Sequence, residues 1–297
     1  MCRPWNARSW LFAPGDSERK MGKAAAGAAD IVILDLEDAV ATREKPEARA
    51  LVAEFLDSCP EPERGRLWVR VNPLDGPDTL ADLATVLPSR PGGIMLPKSS
   101  GRQDVTVLDH YLSALEVAHG IERGSTEVIA LIAETADSMF TAGTYRGAPR
   151  LAAMTWGAED LAGALGAVSA GDSDGHYGFT FELARSLCLM GAVAAGVAAV
   201  DTVHPDFRDL DGLRDRAEAV RRIGYRGSLA IHPAQVDVIN EVFTPTAEEI
   251  AAAQEIVDLF AAHPGAGAIG HHGVMLDRPH LSRAQALLAA ANRAFSG

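Results

Sequence analysis

Three cysteines in 297 residues, Cys2, Cys59 and Cys188, leave little room for sulfur chemistry. None forms a CxxC pair or shares a motif with histidine, which excludes a disulfide framework and a thiolate metal centre as the basis of the fold. Cys188, inside LCLMGAVAAGV, reads as a small core residue. Long apolar runs are lacking too. The longest, Leu187 to Val200, is shorter than the ~20 residues of a membrane span and contains Gly191 and Gly196. The opening MCRPWNARSW has no apolar core of a secretory signal. Positive charge is scarce: the formal net charge is -13, which argues against nucleic acid or an anionic membrane as partner. No GxGxxG follows the first apolar run, so the dinucleotide-binding fingerprint is missing. These absences predict a soluble, cytoplasmic protein, with an anionic small molecule as partner only through a local basic patch.

What is present is alternation. Short apolar runs bounded by turn residues recur: SWLFAPG, DIVILDLE, LWVRVNP, GIMLPK, EVIALIAET, LAAMTWGAED, AAVDTVH and SLAIHP. Segments with helical spacing separate most of them, including Lys45 to Leu56, Val105 to Ala118, Phe181 to Ala195 and Leu213 to Ile223. Parallel neighbours need a crossover, so this alternation predicts parallel βα units. Eight of them predict a (β/α)8 TIM barrel, with a doubly wound open sheet as the alternative. After His232 the pattern stops. TPTAEEIAAAQEIVDLFAAH opens as a helix, with Thr246 as N-cap and Glu249 three residues on. A Pro/Gly-rich hinge, HPGAGAIGHHG, and an amphipathic helix from about His280 to Ala294 follow. The expected division is a catalytic barrel over 1–243 and a C-terminal helical lid or oligomerisation segment over 244–297.

In such a barrel the C-terminal strand ends converge on one rim, where active sites lie. Here those ends carry Glu37-Asp38, Arg70, Lys98, Glu134, Glu159-Asp160, Asp201 with His204, and His232. Glu134 and Asp160 end neighbouring runs. Two carboxylates, with waters and substrate oxygens, suit Mg²⁺, whereas no HxxxH or CxxC supports zinc. The competing reading makes each the cap of a following helix. Arg70 presents a planar fork that can hold a substrate carboxylate, or an ion pair with Glu37 or Asp38. Lys98, among carboxylates that raise its pKa, is expected to be a charged structural lysine. His204 and His232 fit structural and catalytic roles equally, and His271 and His272 read as solvated. Arg19, Lys20 and Lys23 belong to a basic patch that is either a solvated face or a local anion site.

Taken together, RSWLFAPGDSERKMGKA, DIVILDLEDAV, RVNP, MLPKS, IAETA, MTWGAEDLAGALGA, AVDTVHPDFRDLDGL, AIHPAQVDVINEVFTPTAEEI and GVMLDRPHLSRAQALL cover nearly the whole chain in that order. The set resembles the citrate lyase beta-subunit-like CoA-ester lyases of the HpcH/HpaI aldolase superfamily. The resemblance implies a (β/α)8 barrel, bound Mg²⁺ and a homotrimer or hexamer. It also implies reversible cleavage of a 3-hydroxyacyl-CoA (malyl-, methylmalyl- or citramalyl-CoA type) into an acyl-CoA and a 2-oxo acid. Residue by residue, it implies Mg²⁺ on Glu134 and Asp160, and the oxo-acid carboxylate on Arg70, with Gly157 and Glu159 bordering the substrate. Glu37 and Asp38 would hold a metal-bound water and Arg70. Asp277 would be the acid/base at the acyl-CoA carbon, and Arg19, Lys20 and Lys23 would meet the CoA phosphates. Asp35 is assigned no role. HHGVMLDRP departs from the family's pattern at Val274 and at His271-His272, which bears on the lid's CoA contacts. A citrate lyase beta subunit, a malyl-CoA thioesterase and a catalytically silent binding paralogue are the rival functions.

Overall fold

Ile31, Val32, Ile33 and Leu34 are fully buried, as an apolar run without alternation requires of a strand covered on both faces. In the computed structural model, which describes residues 6–171 and 176–294, they lie in the second of eight parallel strands. These are β1 (Ser9–Pro14), β2 (Ile31–Asp35), β3 (Leu67–Arg70), β4 (Gly93–Leu96), β5 (Glu127–Ile132), β6 (Leu151–Trp156), β7 (Ala198–Asp201) and β8 (Gly227–Ala230). Pairing of β1 with β8 closes the sheet into a barrel and excludes the open-sheet alternative. The connections carry α1 (Glu18–Ala25), α2 (Lys45–Ser58), α3 (Glu61–Arg64), α4 (Thr79–Val86), α5 (Arg102–Ala118), α6 (Ala158–Leu165), α7 (Phe179–Ala195) and α8 (Leu210–Ile223). The last begins earlier than its apolar spacing suggests because the Asp209 carboxylate accepts from Gly212 N and caps it.

The barrel is filled from the strand starts. Trp10 and Trp68, each second in its strand, meet edge to face at 5.5 Å, and Ile31, Ile33, Met95, Ile129 and Leu229 pack with them. Apolar filling at that level leaves the opposite strand ends to the polar residues. Below the site, Glu116 of α5 ties this helix to the start of β6. Its buried carboxylate accepts from Arg150 Nη1 and Nη2 at 2.6 and 2.8 Å and from the Gly124 and Thr126 amides. Burial pushes its pKa up, but these donors, Arg150 first, bring it from 4.5 down to about 2. A depressed carboxylate pKa stabilises the fold above the unfolded value and loses that contribution as pH falls through the folded one. Glu116→Gln is therefore expected to cost roughly 3 kcal/mol at neutral pH. Its melting temperature should converge on the parent's as both are titrated from pH 4.5 to 2.

The chain divides into two compact units, Met1–Glu241 and Val242–Gly297, with α9 (Ala234–Phe243) running across the division. In the second unit α10 (Ala247–Ala262) has the capping box that Thr246 and Glu249 predict. The stretch expected as a hinge is instead a hairpin of β9 (Ala268–His271) and β10 (Val274–Asp277), followed by α11 (Arg278–Ala294). Its two-residue turn, His272-Gly273, has φ of +46° and +78°. That left-handed pair matches the twist of the flanking strands, and the glycine supplies it without a Cβ clash. Among the described residues, no helix is long and apolar enough to cross a membrane.

Candidate active site

Asp35 ends β2 at the level where Arg70 ends β3, and the two are register partners. The Asp35 carboxylate accepts from Arg70 Nε at 2.7 Å and from Nη2 at 2.6 Å. The Glu37 and Ala39 amides donate to the same two oxygens at 3.0 and 3.1 Å. A buried carboxylate with this many donors meets its desolvation cost. Arg70 Nη1 lies 2.8 Å from Glu37 Oε2 and 3.5 Å from Asp38 Oδ2, and the guanidinium sits 4.9 Å above the Phe12 ring. Burial opposes its charge, but Asp35, then Glu37 and Asp38, raise its pKa. From the sequence, Arg70 holds a substrate carboxylate or pairs with Glu37 or Asp38, and Asp35 has no role; both ion pairs are present. The structure makes Asp35 the two-pronged partner, because adjacent strands ending level bring these side chains together.

Lys98 follows β4 and its Nζ donates to Glu37 Oε1 at 2.6 Å, with Asp160 Oδ1 at 3.7 Å. Burial disfavours its charge, yet the hydrogen bond and charge of Glu37, aided by Glu134 and Asp38, raise its pKa. It is the charged lysine its surroundings predict. The Lys98 amide donates to Glu134 Oε2. Glu134 Oε1 is buried and makes no hydrogen bond. Burial drives the Glu134 carboxyl well above the usual carboxylate range, and the charges of Asp160 and Glu37 push the same way. A Cβ on Gly157 would lie 2.8 Å from Glu134 Cγ, so only glycine leaves this carboxylate its place. Lys98 and Ala133, with φ of +51° and +54°, hold left-handed backbone on either side of the contact. Such conformations cost roughly 1–3 kcal/mol each and concentrate where a site needs them.

Glu134 caps no helix through this arrangement, and Asp160, in the first turn of α6, makes no hydrogen bond among the described residues. A buried, partnerless carboxylate oxygen beside a second carboxylate fits a hard divalent cation, which would supply the missing partner and offset the repulsion. All-oxygen donors favour Mg²⁺ over zinc.

Residues 8–233 match the HpcH/HpaI aldolase/citrate lyase family. The chain belongs to that family. It is 35% identical to a (3S)-malyl-CoA thioesterase of Cereibacter sphaeroides, over 96% of this chain and 94% of the relative. It is 32% identical to the mitochondrial citramalyl-CoA lyase of Rattus norvegicus, over 96% and 86%. The solved structure of protein CitE from Mycobacterium tuberculosis with magnesium, acetoacetate and coenzyme A superposes with a TM-score of 0.79. The two share 34% identity over 97% of this chain and 99% of that one.

In this member of the HpcH/HpaI family, Glu37, Asp38, Arg70, Lys98, Glu134, Gly157 and Asp160 come together at one mouth. Glu159, exposed on α6, borders a hollow of about 650 Å³ shared with Tyr177, His204 and Arg216. Arg19, Lys20 and Lys23 are exposed along α1. His232 accepts from the Ala234 amide at 3.1 Å and stacks on Phe207, a structural use. Asp277 ends β10 in the second unit, where His280 hydrogen-bonds its carboxylate at 2.5 Å and lowers its pKa. The buried Asp35 is expected to matter far more than its exposed neighbour. Asp35→Asn should cost roughly 3 kcal/mol in a denaturant titration, by removing the two-pronged anionic partner of a buried guanidinium. Asp38→Asn should cost under about 1 kcal/mol.

Proposed function

We propose that this protein is a Mg²⁺-dependent carbon–carbon lyase that reversibly cleaves a 3-hydroxyacyl-CoA of the malyl-, methylmalyl- or citramalyl-CoA type into an acyl-CoA and a 2-oxo acid. The observation that carries it is the buried, partnerless Glu134 oxygen beside Asp160, on one rim with Arg70. The ligands of the CitE relative and the named activity of the rat relative support the same reading. A divalent cation held by Glu134 and Asp160 would act as a Lewis acid toward the substrate's oxygens. Arg70, fixed by Asp35 before substrate arrives, offers the oxo-acid carboxylate positive charge without reorganisation. Glu37 and Asp38 hold Arg70, and Glu37 also holds Lys98. Gly157 leaves space beside Glu134, and Glu159 borders the substrate. Asp277, whose pKa His280 lowers, removes the acyl-CoA α-proton in condensation as the carboxylate; in cleavage it acts from its protonated form and gives that proton to the acyl-CoA carbon. Arg19, Lys20 and Lys23 attract the CoA phosphates on an otherwise acidic chain. A homotrimer or hexamer in the cytoplasm, with residues from 244 onward as its lid, belongs to the same proposal.

The similarity to a malyl-CoA thioesterase favours a second reading with the same site. The purified protein with Mg²⁺ is to be assayed against malyl-, methylmalyl- and citramalyl-CoA, following 2-oxo acid and free thiol separately. Oxo acid without thiol supports the lyase. Thiol without carbon–carbon cleavage supports the thioesterase, and no turnover on any of the three overturns both. Arg70→Lys keeps the charge but loses the fork shared with Asp35. It is expected to raise the KM for oxo acid at least tenfold in the condensation direction while the acyl-CoA KM stays within twofold.

A further inference from the structure

We propose that the tip of the β9–β10 hairpin and the facing side of α10 form a second metal site. Glu255, His271 and His272 would bind one first-row transition ion of the zinc class. Consecutive residues of an extended strand point to opposite faces, so neighbouring histidines ordinarily diverge. Here His271 ends β9 and His272 takes the left-handed turn position, φ +46°. The turn cancels the alternation. The two imidazoles come to 4.0 Å between ring centroids, and both meet the same carboxylate. His271 Nε2 lies 2.8 Å from Glu255 Oε1 and His272 Nε2 lies 3.6 Å from it. One ligand atom from each of the three residues falls within 4.8 Å of the others.

Zinc bonds of about 2.0–2.1 Å in tetrahedral geometry separate ligand atoms by roughly 3.3 Å. The two observed nitrogen–oxygen distances bracket that value, and the two imidazole nitrogens lie within 4.8 Å of each other, so rotation of the exposed His272 ring would complete the set. Two imidazoles and a carboxylate select Zn²⁺, Ni²⁺ or Cu²⁺ over Mg²⁺. The His272 side chain is 80% exposed, which leaves the remaining coordination positions to water. Gln254 and Asp258 line the hollow beside Glu255 and His271. The site lies wholly within the Val242–Gly297 unit, and its donors differ in kind from the barrel's oxygen-only pair. A bound ion would tie the hairpin to α10.

The test uses the full chain held in saturating Mg²⁺, which keeps the barrel carboxylates occupied. Zn²⁺ is titrated in competition with a chromophoric chelator, and Co²⁺ is added separately to read its visible absorption. One Zn²⁺ per chain at micromolar affinity or tighter is expected. The melting temperature should rise on Zn²⁺ addition. His272→Asn removes the imidazole but keeps a residue tolerant of the left-handed turn. It and His271→Gln should each weaken Zn²⁺ binding at least tenfold and bleach the Co²⁺ band, while melting as the parent does without Zn²⁺. Glu134→Gln should leave Zn²⁺ affinity unchanged. Two results overturn the proposal: no stoichiometric Zn²⁺ binding in Mg²⁺, or binding that survives both histidine substitutions at parental affinity.

Discussion

Glu134→Gln is expected to lower Mg²⁺-dependent kcat/KM by at least about 10³-fold while making the metal-free protein no less stable. The activity loss follows from the charge. Glutamine keeps the shape that Gly157 accommodates and can still accept from the Lys98 amide, but it removes one of two anionic oxygens proposed to hold the cation. Lewis-acid stabilisation is worth several kcal/mol, and about 4 kcal/mol corresponds to 10³ in rate. The stability outcome has a separate cause. In the metal-free state burial disfavours the Glu134 charge, and Asp160 and Glu37 repel it. A neutral amide removes both penalties. Asp160→Asn should follow the same pattern with a smaller stability gain, since Asp160 is only half-buried. Turnover rates with and without excess EDTA, beside melting curves of the metal-free variants, read the two effects independently. Full activity in EDTA would refute the metal assignment. Equal losses of activity and stability would mean that Glu134 serves the fold.

Such a pairing of destabilised carboxylates with strained backbone explains which parts of the site were legible in the sequence. Ile31 to Leu34 declares a strand buried on both faces, and a charged residue straight after such a strand declares a barrel rim. That logic located Glu37, Arg70, Lys98, Glu134 and Asp160. It could not find the role of Asp35, because one strand's sequence does not state its register against the next. Asp35 meets Arg70 only because β2 and β3 end level, whereas proximity to the loop pointed to Glu37 and Asp38. A polar residue at the last position of an otherwise apolar strand was the available signal. The left-handed backbone at Lys98 and Ala133 was invisible for another reason: neither residue type favours it, and the surrounding structure imposes it. The hairpin was missed through composition. Glycines around His271-His272 read as a hinge, yet one of them, Gly273, makes the tight turn that pairs β9 with β10.

Mixed oligomers of Asp277→Ala and Glu134→Ala are expected to regain about a quarter (larger rings) to a third (trimers) of parental activity once unmixed oligomers are removed, although each variant alone should be nearly inactive. Asp277 lies in a compact unit separate from the one that carries Glu134, Asp160 and Arg70. Its carboxylate is hydrogen-bonded by His280 of its own unit. The proposal is that a head-to-tail ring brings Asp277 of one chain to the barrel of the next. In an equal, random mixture half of the barrels keep Glu134 and half of the partnering segments keep Asp277, so about one site in four has both. If each segment instead serves its own barrel, every site lacks one of the two residues and activity stays at background. The two variants, differently tagged, are unfolded together, refolded and purified through both tags, so that only mixed oligomers are assayed. Background activity in that doubly purified material would end the shared-site proposal and leave the lyase chemistry to be judged by the CoA-ester assay alone.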